Sequence, residues 1–179
     1  AGRGAGAVSV RAVADRAGTT TRAVYALFGS KEGLLQALAQ HTFELLMETV
    51  DAVPRKRDPR DDLIARAVHG FRAFALAHPA LFRLFFNAQV PRSRLGSGGR
   101  SSQVASRAQL LALVEPLEAA GQLGGHSAGE AALLVDIVCS GLAMREICGG
   151  LEARHAERVW KDSLSALLTG LSASPRATV

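Results

Sequence analysis

The stretch Ser9-Val10-Arg11-Ala12-Val13-Ala14-Asp15-Arg16-Ala17-Gly18-Thr19-Thr20-Thr21-Arg22-Ala23-Val24-Tyr25-Ala26-Leu27-Phe28-Gly29-Ser30-Lys31 holds two short helical patterns punctuated by glycine. Ser9 is a good N-cap, Val10, Val13, Ala14 and Ala17 recur at three and four, and Gly18 ends the run. Thr20 then caps a second short helix to about Leu27, which is expected to carry Ala23, Val24, Leu27 and Phe28 inward. Gly29-Ser30 breaks that helix, and Ser30 caps a long one from Lys31 to about Val53 that ends at Pro54. Its apolar stripe is Leu35, Leu38, Thr42, Leu45 and Leu46.

Outward from this stretch the same periodicity continues and no alternating β-branched run interrupts it, so the chain reads as all-α. Arg55 to Arg60 is a charged connector whose acidic and proline residues argue against a localisation signal. A helix is predicted over 61–78 and a short one, opened by Pro79, over 80–87. Ser93 to Ser102, with Gly96-Ser97-Gly98-Gly99, reads as a mobile loop; it lacks the strand and the Gly-Lys-Ser/Thr ending of a phosphate cradle. Helices over 102–120, 127–148 and 151–171 complete the pattern.

Composition excludes several classes. Ala131 to Ile147, the most apolar segment, is broken by Asp136, Ser140, Arg145 and Glu146 and is no membrane span, and Ala1 to Ala7 lacks the apolar core of a secretory signal. The expected location is the cytoplasm. Two cysteines and five histidines form no CxxC, HxxxH or HExxH, so no metal and no cofactor is expected. Cys139 and Cys148, nine apart in one helix, cannot bridge and read as small core residues. Nothing has the spacing of a catalytic triad or a carboxylate pair, so no enzyme is expected. The net charge is +5, and up to Lys31 five basic residues face the single acid Asp15, the concentration expected of a nucleic-acid-facing module.

Two short helices around a tight glycine turn, followed at once by a third, have the dimensions of a helix-turn-helix, whose second helix enters the major groove. The run from Val8 to Gly18, then Val24-Tyr25-Ala26-Leu27-Phe28, then Ser30-Lys31-Glu32-Gly33-Leu34-Leu35 resembles the DNA-binding signature of the tetracycline-repressor (TetR) family over Gly4 to Leu38. Thr19, where an aliphatic residue is usual, and Ala26, where a longer polar or aromatic one is common, depart from it, and base readout from position 26 is expected to be weak. Ala77 to Phe86 is similar to a run found in some members.

The resemblance implies a homeodomain-like helix-turn-helix domain over 1–48 and a helical effector-binding and dimerisation domain over 49–179. It implies a further helix ahead of Gly4, of which Ala1 to Arg3 would be a fragment, and so a longer gene product. Thr20, Thr21 and Arg22 would approach bases and backbone, Tyr25 and Lys31 would reach phosphate, and Arg11 would assist electrostatically. The implied partners are near-palindromic double-stranded operator DNA, an unidentified small apolar effector, and a second copy bound through the last two helices in a four-helix interface. The function implied is repression relieved by the effector; a helical ligand carrier or adaptor that has lost DNA binding is the alternative.

Among effector-site candidates, Phe71, Phe74, Phe82, Phe85 and Phe86 read either as an apolar cavity or as plain core, and His78 as a ligand contact or a buried histidine bonded to backbone. Asp136 and Ser140 share a face of an apolar helix that also carries Cys139, and mark either the polar end of a pocket or the dimer seam.

Overall fold

The computed structural model describes residues 9–86 and 96–173, and among these there are helices and connecting turns but no strand. The order is α1 (Val10–Arg16), α2 (Thr21–Phe28), α3 (Lys31–Asp51), α4 (Pro59–Arg66), a π turn (Ala67–Phe71), α5 (Arg72–Ala77), α6 (Pro79–Phe86), α7 (Gly96–Ala119), α8 (Ala128–Ile147) and α9 (Ala153–Ala173). The expected helix fragment in Ala1 to Arg3, the end of the sixth helix at Asn87, and the start of the expected loop, Ser93 to Leu95, lie outside the described residues.

Helix starts follow the caps legible in the sequence. Ser9, Thr20 and Ser30 each accept a hydrogen bond from the backbone N–H three residues on, at 3.3, 3.1 and 3.0 Å. Each satisfies an N–H that the first turn leaves without a helical partner. Asp58 does the same for Asp61 at 2.9 Å, with Pro59 in the first turn of α4. Ser127 and Glu130 form a reciprocal capping box at the head of α8. Gly18 and Gly29 end α1 and α2 at φ of 63° and 72°, where a side chain would be strained.

Two compact units draw on separate stretches of chain. The first takes the described residues of Ala1–Glu44 and Ala80–Ala105. In it Val10, Ala14, Val24 and Leu34 form one buried cluster, flanked by Val13 and Leu38, which ties α1 and α2 to the start of α3. Leu35, Ala39, Phe43, Leu84 and Phe85 form another, joining α3 to α6. A Cβ at Gly33 would fall on the Phe28 carbonyl, so only glycine lets α3 begin this close behind α2.

The second unit takes Leu45–Pro79 and the described residues from Ser106 on. Its fully buried side chains include Leu63, Phe74, Leu117, Val135, Trp160 and Leu164. The single helix expected over 61–78 starts at Pro59 and is widened by the π turn. At that turn Gly70 lies against the end of α3, where a Cβ would come within 2.8 Å of Val50 Cα. The buried Arg66, just ahead of the turn, donates from Nη1 to the Val50 carbonyl at 2.8 Å and from Nε to Asp62 at 3.1 Å, and Asp62 accepts from the Lys56 backbone at 2.7 Å. A cation thus satisfies a last-turn carbonyl of α3 and complements its dipole.

Three expectations are corrected. Gly96 to Ser101 belong to α7 rather than to a loop, and Gly96 and Gly98 sit where a Cβ would meet the Gln36 and Gln40 side chains, so the glycines serve close approach to α3. Leu27 and Phe28, expected inward, are 79% and 36% exposed: they occupy the last turn of α2, while the adjoining cluster buries only Val24 from that helix. Cys148 is exposed at the C-cap of α8, while Cys139 is buried as expected.

Candidate functional site

The expected DNA contacts fall on one short segment of the first unit. Val24 is the buried residue of α2, and Thr21, Arg22, Tyr25 and Ala26 are all exposed around it. At about 100° per residue, Arg22 and Ala26 lie opposite Val24 and one turn apart, with Thr21 and Tyr25 along one edge. Thr20 is the N-cap; its Oγ1 accepts from Ala23, and its hydroxyl proton stays available for donation. Tyr25 is 48% exposed, which keeps its ring partly packed and its hydroxyl wet. Arg11 is exposed on α1, and Lys31, half-buried, is the first residue of α3.

Among the described residues, Arg11, Arg22 and Lys31 take part in no ion pair. Over 9–32 the basic residues Arg11, Arg16, Arg22 and Lys31 outnumber the acids Asp15 and Glu32, which leaves the segment net positive.

The expected effector residues divide between the units. Phe82 is buried and stacks on Phe86 with ring centroids 4.7 Å apart, and Phe86 also lies 5.6 Å from Phe43, all within the first unit. In the second unit Phe71, half-buried on the π turn, lies 6.4 Å from the Trp160 ring, and buried Phe74 lies 5.5 Å from the ring of His78, which is half-buried. Ser140 donates to Asp136 at 3.5 Å, joining two half-buried groups one turn apart on α8. Burial, with the nearby Asp136 charge, pushes the Cys139 thiol up to about 12, so it stays protonated.

Sequence periodicity missed the polar centre of the second unit. Arg72 grips Glu146 with two hydrogen bonds, Nε to Oε2 at 2.9 Å and Nη2 to Oε1 at 2.7 Å, and the Trp160 indole N–H donates to Oε2 at 3.0 Å. The paired carboxylate raises the Arg72 guanidinium further, opposed by burial. The available signal was a charged residue, Glu146, near the end of a mostly apolar helix. No group of three or more His, Cys, Asp or Glu placed to hold a metal ion occurs among the described residues, and none of their helices is long and apolar enough to cross a membrane.

The family model for bacterial regulatory proteins, tetR family, matches residues 1–38, and that for the tetracyclin repressor-like C-terminal domain matches residues 64–171. The HTH-type transcriptional regulator Rv1816 of Mycobacterium tuberculosis and its counterpart Mb1846 of Mycobacterium bovis are each 35% identical over 94 residues, 49% of this chain and 38% of theirs. The chain thus matches well under half the length of these curated relatives. A solved protein of unknown function from Rhodococcus sp. RHA1 has a TM-score of 0.76 at 26% identity, with 95% of this chain and 88% of that one covered. The TetR family transcriptional regulator PfmR of Thermus thermophilus shares the fold, with a TM-score of 0.69 at 20% identity over 92% and 90% of the two chains. A short helix exposed on most sides, with unpaired cations on it and on each neighbouring helix, one family model over the N-terminal helices and another over more than half the sequence lead to one conclusion: the chain belongs to the tetR family of bacterial regulatory proteins.

Proposed function

We propose that the chain is a transcriptional repressor that binds a near-palindromic operator as a homodimer and is released by a small apolar effector. The observation that carries this reading is the cation set Arg11, Arg22 and Lys31 around α2, with no acidic partner among the described residues. Uncompensated cations beside exposed hydroxyls are what a phosphate backbone neutralises. In this reading α2 is the recognition helix: Arg22, Thr20 and Thr21 meet base edges and adjacent phosphates, Tyr25 and Lys31 bind phosphate, and Arg11 adds charge.

Residues 1–48 then serve DNA binding, and 49–179 effector binding and dimerisation. Leu133, Leu134 and Ile137, exposed on α8, support a dimer face built from α8 and α9. The two recognition helices of such a dimer would be about 34 Å apart, one turn of B-DNA. The proposed effector contacts are Phe71, Phe74, His78, Asp136 and Cys139 of the second unit and Phe82 and Phe86 of the first, mostly apolar side chains with few polar groups. Effector binding shifts the population toward a spacing that no longer fits the operator. The site of action is the cytoplasm.

The test is an anisotropy titration of the full-length protein with labelled operator, with and without a library of apolar small molecules. Release by one class of compound supports the reading, and operator affinity indifferent to every compound contradicts induction.

A further inference from the structure

Resting on the DNA-binding reading of α2, we propose that Ala26 is a specificity determinant: its methyl group reads the C5-methyl of a thymine in the major groove, one helical turn beyond Arg22. Val24 is buried against α1 and α3, which fixes the rotation of α2 about its axis. Position 26 lies on the opposite side and is exposed, as is Arg22 four residues earlier. These two residues therefore form the crest of the helix, the line that reaches deepest into a groove.

The later half of α2, Val24 to Phe28, offers only the Tyr25 hydroxyl for hydrogen bonding. Base reading from the crest at position 26 is therefore restricted to apolar contact. The thymine methyl is the apolar mark on major-groove base edges, and alanine is small enough to let the helix backbone approach it closely. Arg22, the other crest residue, carries the fork that pairs with guanine O6 and N7.

The rise between the two positions is about 6 Å. Base pairs step by about 3.4 Å, so the guanine and the thymine are separated by about two steps. Each half-site of the operator is thus expected to contain a guanine and, about two steps away, a T·A pair whose methyl matters.

The experiment uses the full-length protein and duplexes that it enriches from a random-sequence DNA pool. Each thymine is replaced singly by deoxyuridine, which removes the methyl and nothing else, and affinity is read by fluorescence anisotropy for wild type and Ala26→Gly. At one thymine per half-site the replacement should weaken the wild type roughly three- to fivefold, the worth of one buried methyl, and leave Ala26→Gly unchanged. Ala26→Gln should shift the preference at that position toward adenine, whose N6 and N7 its amide can pair. A uracil effect equal in wild type and Ala26→Gly, or no uracil effect at any thymine, would overturn the inference while leaving DNA binding intact. Failure to enrich any duplex would overturn the DNA-binding reading and this inference together.

Discussion

The guanidinium of Arg72 on α5 holds both carboxylate oxygens of Glu146 on α8, and Trp160 of α9 donates to the same carboxylate. Three helices of the second unit therefore share one polar centre, with the Glu146 side chain 7% exposed and that of Arg72 18%. Removing one partner strands the other in a poorly hydrated place. Glu146→Ala is predicted to destabilise the protein by about 3 kcal/mol, near the low end for broken buried pairs. Glu146→Gln, which retains an acceptor for Trp160, should cost about half as much. Trp160 is the single tryptophan and is fully buried, so its emission shift in a urea titration reports unfolding directly. Equal midpoints for wild type and Glu146→Ala would show that the fork contributes nothing.

The cysteines should differ sharply in reactivity. Burial, reinforced by Asp136, raises the Cys139 thiol to about 12, whereas Cys148 is exposed. A raised folded-state value favours the fold fully below the ordinary thiol range, near 8.5, and that contribution is lost as pH rises toward 12. At pH 8 a disulfide reagent is expected to label Cys148 rapidly and Cys139 only on unfolding. Two thiols reacting at the same rate in the folded protein would contradict the burial.

The proposed DNA contacts separate by type of loss. Arg22→Ala should cost about 1–3 kcal/mol of operator affinity and relax discrimination at one position. Lys31→Ala should weaken specific and random DNA alike and lower the salt slope by about 1. Binding isotherms at several salt concentrations distinguish the two patterns, and identical slopes for wild type and Lys31→Ala would remove Lys31 from the phosphate contacts.

The apolar face of α8 yields a prediction about assembly. Ile137→Glu, on a residue 58% exposed in the single chain, should leave the helix formed yet shift the protein to a monomer by placing a charge in the proposed interface. Sedimentation velocity reads the outcome, and a variant that still sediments as a dimer would move the interface elsewhere.

Legibility in the sequence followed the range of the interaction. Caps at Ser9, Thr20 and Ser30 act over three residues, so the starts of α1, α2 and α3 were readable. The helices of the proposed DNA-facing segment were readable because their spacing is local. The Arg72–Glu146 fork spans 74 positions, and the Arg66 bond to the Val50 carbonyl spans 16, so no periodicity announces either. The glycines at 96 and 98 carried a loop signal that contact with Gln36 and Gln40 overrode, as tertiary packing can. Leu27 and Phe28 had the spacing of buried residues, but a helix of eight residues outran the surface available to cover its last turn.

The central claim is specific DNA recognition by α2, and the most direct test is an anisotropy titration of the full-length protein at two salt concentrations. The targets are duplex from its own upstream intergenic region and random duplex of equal length. Recognition predicts tight, salt-sensitive binding to a near-palindromic site, lost in Arg22→Ala far more than on random DNA. Equal affinity for the two duplexes, unaffected by Arg22→Ala, would contradict it.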